Sequence, residues 1–278
     1  MMQTYETLIT VDQLSTILKV TSTVIIDCRY YLADINRGRQ EYLRDHIPGA
    51  YYMDIGLDLS SPVIKGVTGR HPLPHPEVLA SALRAAGMDN TSQVVVYDQL
   101  NGGYAARAWW LLKWLGHSPV AVLDGGYGAW KNQGLSIDNQ WPAPKEGDFQ
   151  FHLRKELTVD MHQVQGLREP IVDSREYKRY TGESEPIDPI AGHIPGAVCI
   201  PYTDNTFENG IWKSPAFLKE KFDTIEPELA SPVFYCGSGV TACHNILAYK
   251  IATGRDARLY PGSWSEWINY YPAVTGVK

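Results

Sequence analysis

Val233-Phe234-Tyr235-Cys236-Gly237-Ser238-Gly239-Val240-Thr241-Ala242 is the stretch on which the reading of this chain turns. The apolar run Val233-Phe234-Tyr235 predicts a short buried strand, and the small residues after Cys236 predict a tight loop. A helix is expected from near Thr241. Strand, loop and helix in that order place Cys236 against several backbone N–H groups and the positive end of a helix dipole. Such surroundings favour a thiolate, and a thiolate in a cradle of amides is a nucleophile that can also hold the resulting anion. A buried structural cysteine ahead of a glycine-rich turn is the competing reading of these ten residues.

The 278 residues suffice for two ordinary domains, and 44% hydrophobic with 20% charged residues is normal for a folded soluble protein. A net charge of −6 without a long basic run argues against nucleic-acid binding. Met1-Met2-Gln3-Thr4-Tyr5-Glu6 lacks the basic region and apolar core of a secretory signal. No apolar run approaches the ~20 residues that span a bilayer, so no membrane association is expected. The four cysteines, Cys28, Cys199, Cys236 and Cys243, form no Cys-x-x-Cys pair. Thioredoxin-type chemistry and a zinc ribbon are therefore disfavoured, no metal or cofactor is expected, and a cytoplasmic location follows.

The chain is written twice. Val24-Ile25-Ile26-Asp27-Cys28-Arg29 recurs as Ile171-Val172-Asp173-Ser174-Arg175, each a short strand ending in Asp-x-Arg. His46-Ile47-Pro48-Gly49-Ala50 recurs as His193-Ile194-Pro195-Gly196-Ala197. Val94-Val95-Val96-Tyr97-Asp98 matches Val233-Phe234-Tyr235-Cys236. Leu123-Asp124-Gly125-Gly126 with Trp130 matches Tyr260-Pro261-Gly262-Ser263 with Trp267. Thr10-Val11-Asp12-Gln13-Leu14 pairs with Thr158-Val159-Asp160-Met161-His162, each threonine expected to cap a short helix. Each copy reads helix, strand, turn, strand, helix, strand, helix, strand, helix, with helical segments such as 105–115 and 242–252. That alternation predicts an α/β fold: a mostly parallel sheet with helices on both faces. Residues 136–156, with Pro142, Pro144 and Gly147, read as a linker, giving domains 1–145 and 146–278. In the first copy Asp98 stands where the second has Cys236. A fold that tolerates Asp there does not need Cys for packing, so Cys236 is read as the nucleophile and the first copy as inactive.

These motifs together resemble the tandem-domain rhodaneses, or sulfurtransferases, over nearly the full length. The resemblance implies two rhodanese domains, the second catalytic, and a persulfide intermediate on Cys236 with ping-pong kinetics. Thiosulfate-type members resemble Cys-Arg-Lys-Gly-Val-Thr at the loop. Here Cys236-Gly237-Ser238-Gly239-Val240-Thr241 carries no cation, which resembles the 3-mercaptopyruvate type. The resemblance thus implies a small-molecule sulfur donor, 3-mercaptopyruvate, and a thiol, cyanide or thioredoxin-like acceptor. Thiosulfate:cyanide transfer and a persulfide relay protein are the alternatives. The amides of Gly237, Ser238, Gly239, Val240 and Thr241 would hold the persulfide. By position, Arg179 matches an arginine that binds the substrate carboxylate. Ser238, His71 and Asp58 match a proposed Ser-His-Asp proton relay, and Tyr30 sits where relatives often have a Trp lining the cleft. The chain departs from the family at Glu185-Pro186-Ile187-Asp188-Pro189, where a second carboxylate-binding arginine often stands, so Arg179 is the one clamp visible. Asp58 is followed by Leu59 and Ser60 instead of the Arg-Thr usual in animal enzymes.

Other residues read as structural. Arg29 and Arg175, and likewise His46 and His193, occur in both copies and are expected to tie turns and strands together. His71 has no counterpart, which favours function, whereas Asp58 would also suit a loop cap. Cys243, roughly two helical turns beyond Cys236, reads as a packed helix residue, with a resolving thiol the alternative. Cys28 and Cys199, and Trp109, Trp110 and Trp114 at helical spacing, read as core. A cysteine phosphatase would require Cys-x5-Arg, but residue 242 is Ala.

Overall fold

The computed structural model describes residues 4–18, 23–225 and 231–276. They divide into two compact units. One takes in the chain up to Ser61, then Pro74–Arg154 and Thr206–Trp212; the other holds Pro62–Leu73, Lys155–Asn205 and the chain from Lys213 onward.

The first unit runs β1 (Leu8–Ile9), α1 (Val11–Ile17), β2 (Thr23–Asp27), α2 (Arg37–Arg44), β3 (Tyr51–Tyr52), α3 (Pro76–Ala85), β4 (Gln93–Tyr97), α4 (Ala105–Trp114), β5 (Val120–Leu123) and α5 (Gly126–Asn132). Its strands form one parallel sheet in the order β1-β5-β4-β2-β3. Alternation along the strands sends Ile25, Val95 and Leu123 to one face, where they meet Val11 and Leu14 of α1 and Trp130 of α5. Val24, Val94 and Val96 turn the other way, the side on which α4 packs. Each such fully buried side chain contributes roughly 1.5–3 kcal/mol. All ten residues of α4 are buried, the three tryptophans included.

The second unit runs α6 (Met161–Gln165), β6 (Ile171–Asp173), α7 (Tyr177–Thr181), β7 (Val198–Cys199), α8 (Pro215–Phe222), β8 (Val233–Tyr235), α9 (Thr241–Thr253), β9 (Arg258–Leu259) and α10 (Ser263–Trp267). The sheet order β7-β6-β8-β9 repeats that of the first unit without its β1 edge. An isolated parallel bridge from Thr158 to Leu259 stands in that place.

This bridge corrects the expected register of the repeat. Thr10 caps α1 with Gln13 completing a capping box, as expected. Thr158 caps nothing: it is spent on the sheet edge, and Val159 N–H donates to Leu259. Asp160 caps α6, and Gln163 completes the box. The true partner of Thr10 is therefore Asp160, two residues beyond the match of letters. The expected turn between the first two strands of each copy contains a helix, α2 or α7. α2 is highly charged and buries only Gly38 and Tyr42, so it carries little apolar period.

The chain changes units at Arg154–Lys155, later than 145. Gly147, Phe149 and His152 donate backbone bonds to Arg84, Met88 and Leu115, which keeps residues 146–154 in the first unit. Residues 62–73 cross in the other direction, carrying His71 into the second unit. Arg70 N–H donates to Ser265 Oγ at 3.0 Å, and Tyr270 Oη donates to Val67 O.

Candidate active site

Both units build the same frame around the end of their central strand. In the first, the Asp27 carboxylate accepts from Arg29 Nη2 and from Tyr97 Oη, each at 2.7 Å. Tyr97 Oη in turn accepts from Ile47 N–H. In the second, Arg175 Nη2 donates to Asp173 at 2.6 Å, and Tyr235 Oη accepts from Ile194 N–H. His46 stacks on Tyr42 and His193 on Tyr180, each with Nδ1 against that tyrosine's carbonyl. These residues hold turns, as their double occurrence implies.

The two frames end differently. Asp98 is fully buried, and its carboxylate accepts four backbone N–H groups: Leu100 and Gly102 on Oδ1, Tyr104 and Ala105 on Oδ2. Burial pushes its pKa up, and the amides pull it back. The loop and the first turn of α4 are thus an amide cradle holding an anion that belongs to the chain.

In the second unit Cys236 is 1% exposed and follows β8 directly, with the loop 237–240 leading into α9. Among the described residues, the N–H groups of Gly237, Ser238, Val240, Thr241 and Ala242 donate to no acceptor. These donors sit at the N-terminus of a 13-residue helix, where negative charge is favoured. Gly239 has φ +76, and a Cβ there would collide with the carbonyl of Pro261, so only glycine fits.

Ser263 went unnoticed as a site residue. Its Oγ accepts Cys236 N–H at 3.2 Å and donates to Tyr260 O. It does so at φ +56, the one positive φ outside glycine among the described residues. The matching Gly126 has φ +59. The second copy accepts about 1–3 kcal/mol of strain to place a hydroxyl at the amide of Cys236. The double glycine of the first copy, set against Gly262-Ser263, is the signal that would have found it.

Of the expected site residues, the second unit gathers Cys236, Ser238, His71 and Arg179. Ser238 Oγ and His71 Nδ1 are 2.8 Å apart. Asp58 and Tyr30 belong to the first unit. Asp58 accepts Asp54 N–H at 2.7 Å, and burial pushes its pKa up. Tyr30 is buried edge-on against Tyr104. Arg179 lies 12% exposed, its Nε on Glu185 and its Nη2 shared between Glu185 and Asp188. A second guanidinium, that of Arg70, stands beside Gly237 with that of Arg179. From the Cβ direction of Gly237, Arg70 Nη2 is 2.7 Å away and Arg179 Nη2 3.5 Å. Cys243 donates to Gly239 O at 3.3 Å and is fully buried, as a packed residue should be. Cys28 is core, whereas Cys199 is only partly buried, because β7 is an edge strand.

Duplicated parallel α/β units, one closing on a carboxylate and one on a cysteine under a helix N-terminus, define a cysteine-loop enzyme of tandem-domain architecture. The rhodanese-like domain family matches residues 10–133 and 155–270. The chain belongs to that family. It is 46% identical to a probable 3-mercaptopyruvate sulfurtransferase of Pseudomonas aeruginosa, over 97% of this chain and 98% of the relative. It is 34% identical to a thiosulfate sulfurtransferase of Bos taurus, over 91% and 87% of the two chains. The solved structure of a 3-mercaptopyruvate sulfotransferase from Escherichia coli superposes with a TM-score of 0.80 at 32% identity, covering 93% of this chain and 99% of that one.

Proposed function

We infer that the chain is a sulfurtransferase that takes sulfur from 3-mercaptopyruvate through a persulfide on Cys236. The observation that carries the reading is the contrast between the two cradles. The amides that Asp98 fills in the first copy have counterparts around Cys236 that are open to an external anion.

The Cys236 thiolate attacks the donor sulfur. An S–S bond forms, the donor's C–S bond breaks, and its electron pair leaves on carbon as the enolate of pyruvate. Ser238 gives the enolate carbon a proton and recovers, through His71, the proton that the donor thiol releases as the persulfide anion forms. Amides of residues 237–241 hold the persulfide anion, and Arg179 the carboxylate. Cyanide, a thiol or a thioredoxin-like protein then attacks the outer sulfur, the S–S bond breaks, and the Cys236 thiolate returns. The four cysteines are free thiols, in keeping with a reducing cytoplasm.

Thiosulfate is the second reading, favoured by one observation. Two guanidiniums beside Gly237 would also hold a small dianion. The ratio of kcat/KM for the two donors, with cyanide as acceptor, tests the assignment. A preference of at least tenfold for 3-mercaptopyruvate is expected, and a thiosulfate preference overturns the donor. A Cys236→Ser variant that still turned over would sink the persulfide. Failure of the wild type to use cyanide, despite gaining one sulfur on Cys236, would favour a relay protein.

A further inference from the structure

We propose that the second unit carries a separate binding site for a small planar aromatic molecule with an N–H or O–H group, in the cavity beside the Tyr180–His193 stack. The duplication points to it. The stacked pair Tyr42–His46 recurs as Tyr180–His193, with ring centroids 4.1 and 3.8 Å apart. In the first copy two further rings close on Tyr42. Tyr52 of β3 lies 5.3 Å from it, and Trp141 stands edge-on at 5.2 Å. The sheet register makes Cys199 the counterpart of Tyr52, because Asp27 pairs with Tyr52 and Asp173 with Cys199. The antiparallel bridges His46–Asp138 and His193–Val274 align the covering segments in the same way. Counting on from these bridges, Trp141 corresponds to Val277, which lies outside the described residues. Neither position supplies the second copy with a ring for Tyr180.

What stands there is a cavity of about 610 Å³, walled by Tyr177, Tyr180, His193, Val198, Cys199 and Val274 among others. That volume suits a small-molecule site, and none of the residues gathered around Cys236 lines it. Its walls fit an aromatic ring. Tyr177 is 51% exposed, with its ring 6.2 Å from that of Tyr180. Val198 and Val274 are exposed apolar side chains, and a ring laid against them takes that surface out of water. Burial pushes the Cys199 thiol up to about 12, so it stands there as a neutral, polarizable wall. One polar atom orients the guest. His193 is 5% exposed, and its Nδ1 lies 2.8 Å from Tyr180 O. A carbonyl only accepts, so that nitrogen donates, and in the neutral ring Nε2 is left as an acceptor. No described residue donates to it. His46 Nε2 in the first copy is buried with no partner, whereas its counterpart in the second is open to one. An indole N–H or a phenol O–H would bring the missing donor together with the missing ring.

Equilibrium dialysis of the full chain against indole tests the site. Binding should saturate at about one indole per chain, with a Kd of about 1 mM or below. Cys199→Tyr gives the second copy the ring of the first. It should weaken indole binding by at least about tenfold while leaving kcat/KM for sulfur transfer unchanged. Tyr177→Ala removes an exposed wall, so it should fold as the wild type does and weaken binding severalfold. It carries the test should Cys199→Tyr not fold. 1-Methylindole keeps the ring but lacks the N–H, and should bind the wild type severalfold more weakly than indole. No saturable binding to the wild type, or equal binding by the wild type and the variants, overturns the site. Equal affinity for indole and 1-methylindole overturns the donor requirement and the role given to His193.

Discussion

Asp98 and Cys236 occupy the same strand end in two copies of one fold, yet one is held by four amides and the other leaves its amides open. The frames behind them agree closely: the Asp-Arg pair, the tyrosine hydroxyl on the next turn's amide and the stacked histidine all recur. What differs is whether the anion is part of the chain. In the first copy the chain itself fills the cradle, and in the second the amides beside Cys236 are left open.

Cys236→Ser should lower kcat/KM by more than about 10³-fold while leaving the unfolding midpoint nearly unmoved. Asp98→Ala should do the reverse. Orphaning four N–H groups, those of Gly102 and Ala105 in buried bonds, should cost roughly 2–4 kcal/mol in urea unfolding, with the folded fraction still active. An Asp98→Ala protein as stable as the wild type would break the comparison.

Ser263 sharpens it. Ser263→Ala keeps the left-handed backbone and loses the acceptor for Cys236 N–H, for an expected loss of about 1–2 kcal/mol. Ser263→Gly also loses the acceptor but relaxes the strain, as Gly126 does, and should stay within about 1 kcal/mol of the wild type. Both should slow persulfide formation severalfold in single-turnover kinetics. Equal stability of the two variants would remove the strain argument.

The smallest effect concerns a half-buried lysine of α8 that α3 of the first copy lacks. Lys221 donates to Pro201 O and Asn205 Oδ1, and burial lowers its pKa from 10.5 to about 8. Between these values the unfolded chain holds a proton that the folded chain does not. Stability contributed by this group therefore rises with pH across the window, by at most about 1.4 kcal/mol per unit, and is level outside it. Subtracting the pH profile of Lys221→Met should isolate that slope; a flat difference between pH 8 and 10 would refute it.

The parts legible in the sequence were those set by local pattern. Val233–Tyr235 and the helix from Thr241 fall where the apolar run and small residues put them, because strand, loop and helix each have a short-range signature. Thr158 misled because an identical letter sequence outweighed burial: Ile9 and Val159, not the threonines, carry the shared packing. Arg70 was missed because nothing local marks it. Its partners, Asp188 and the loop at Gly237, lie more than a hundred residues away, and only the crossing of residues 62–73 brings them together. Ser263 is ordinary as a letter and unusual only as a backbone angle.

The filled cradle of Asp98 also bears on how this enzyme ages under oxidants. A carboxylate has no further oxidation state to reach, whereas a thiolate climbs through sulfenic and sulfinic to sulfonic acid. A sulfonate on Cys236 would place a permanent anion among the loop amides, the arrangement that Asp98 already exemplifies. Terminal oxidation would therefore make the second cradle a chemical likeness of the first. The expected end product is a protein that stays folded and is inert, and a loss of activity in oxidised samples should not be accompanied by a loss of structure.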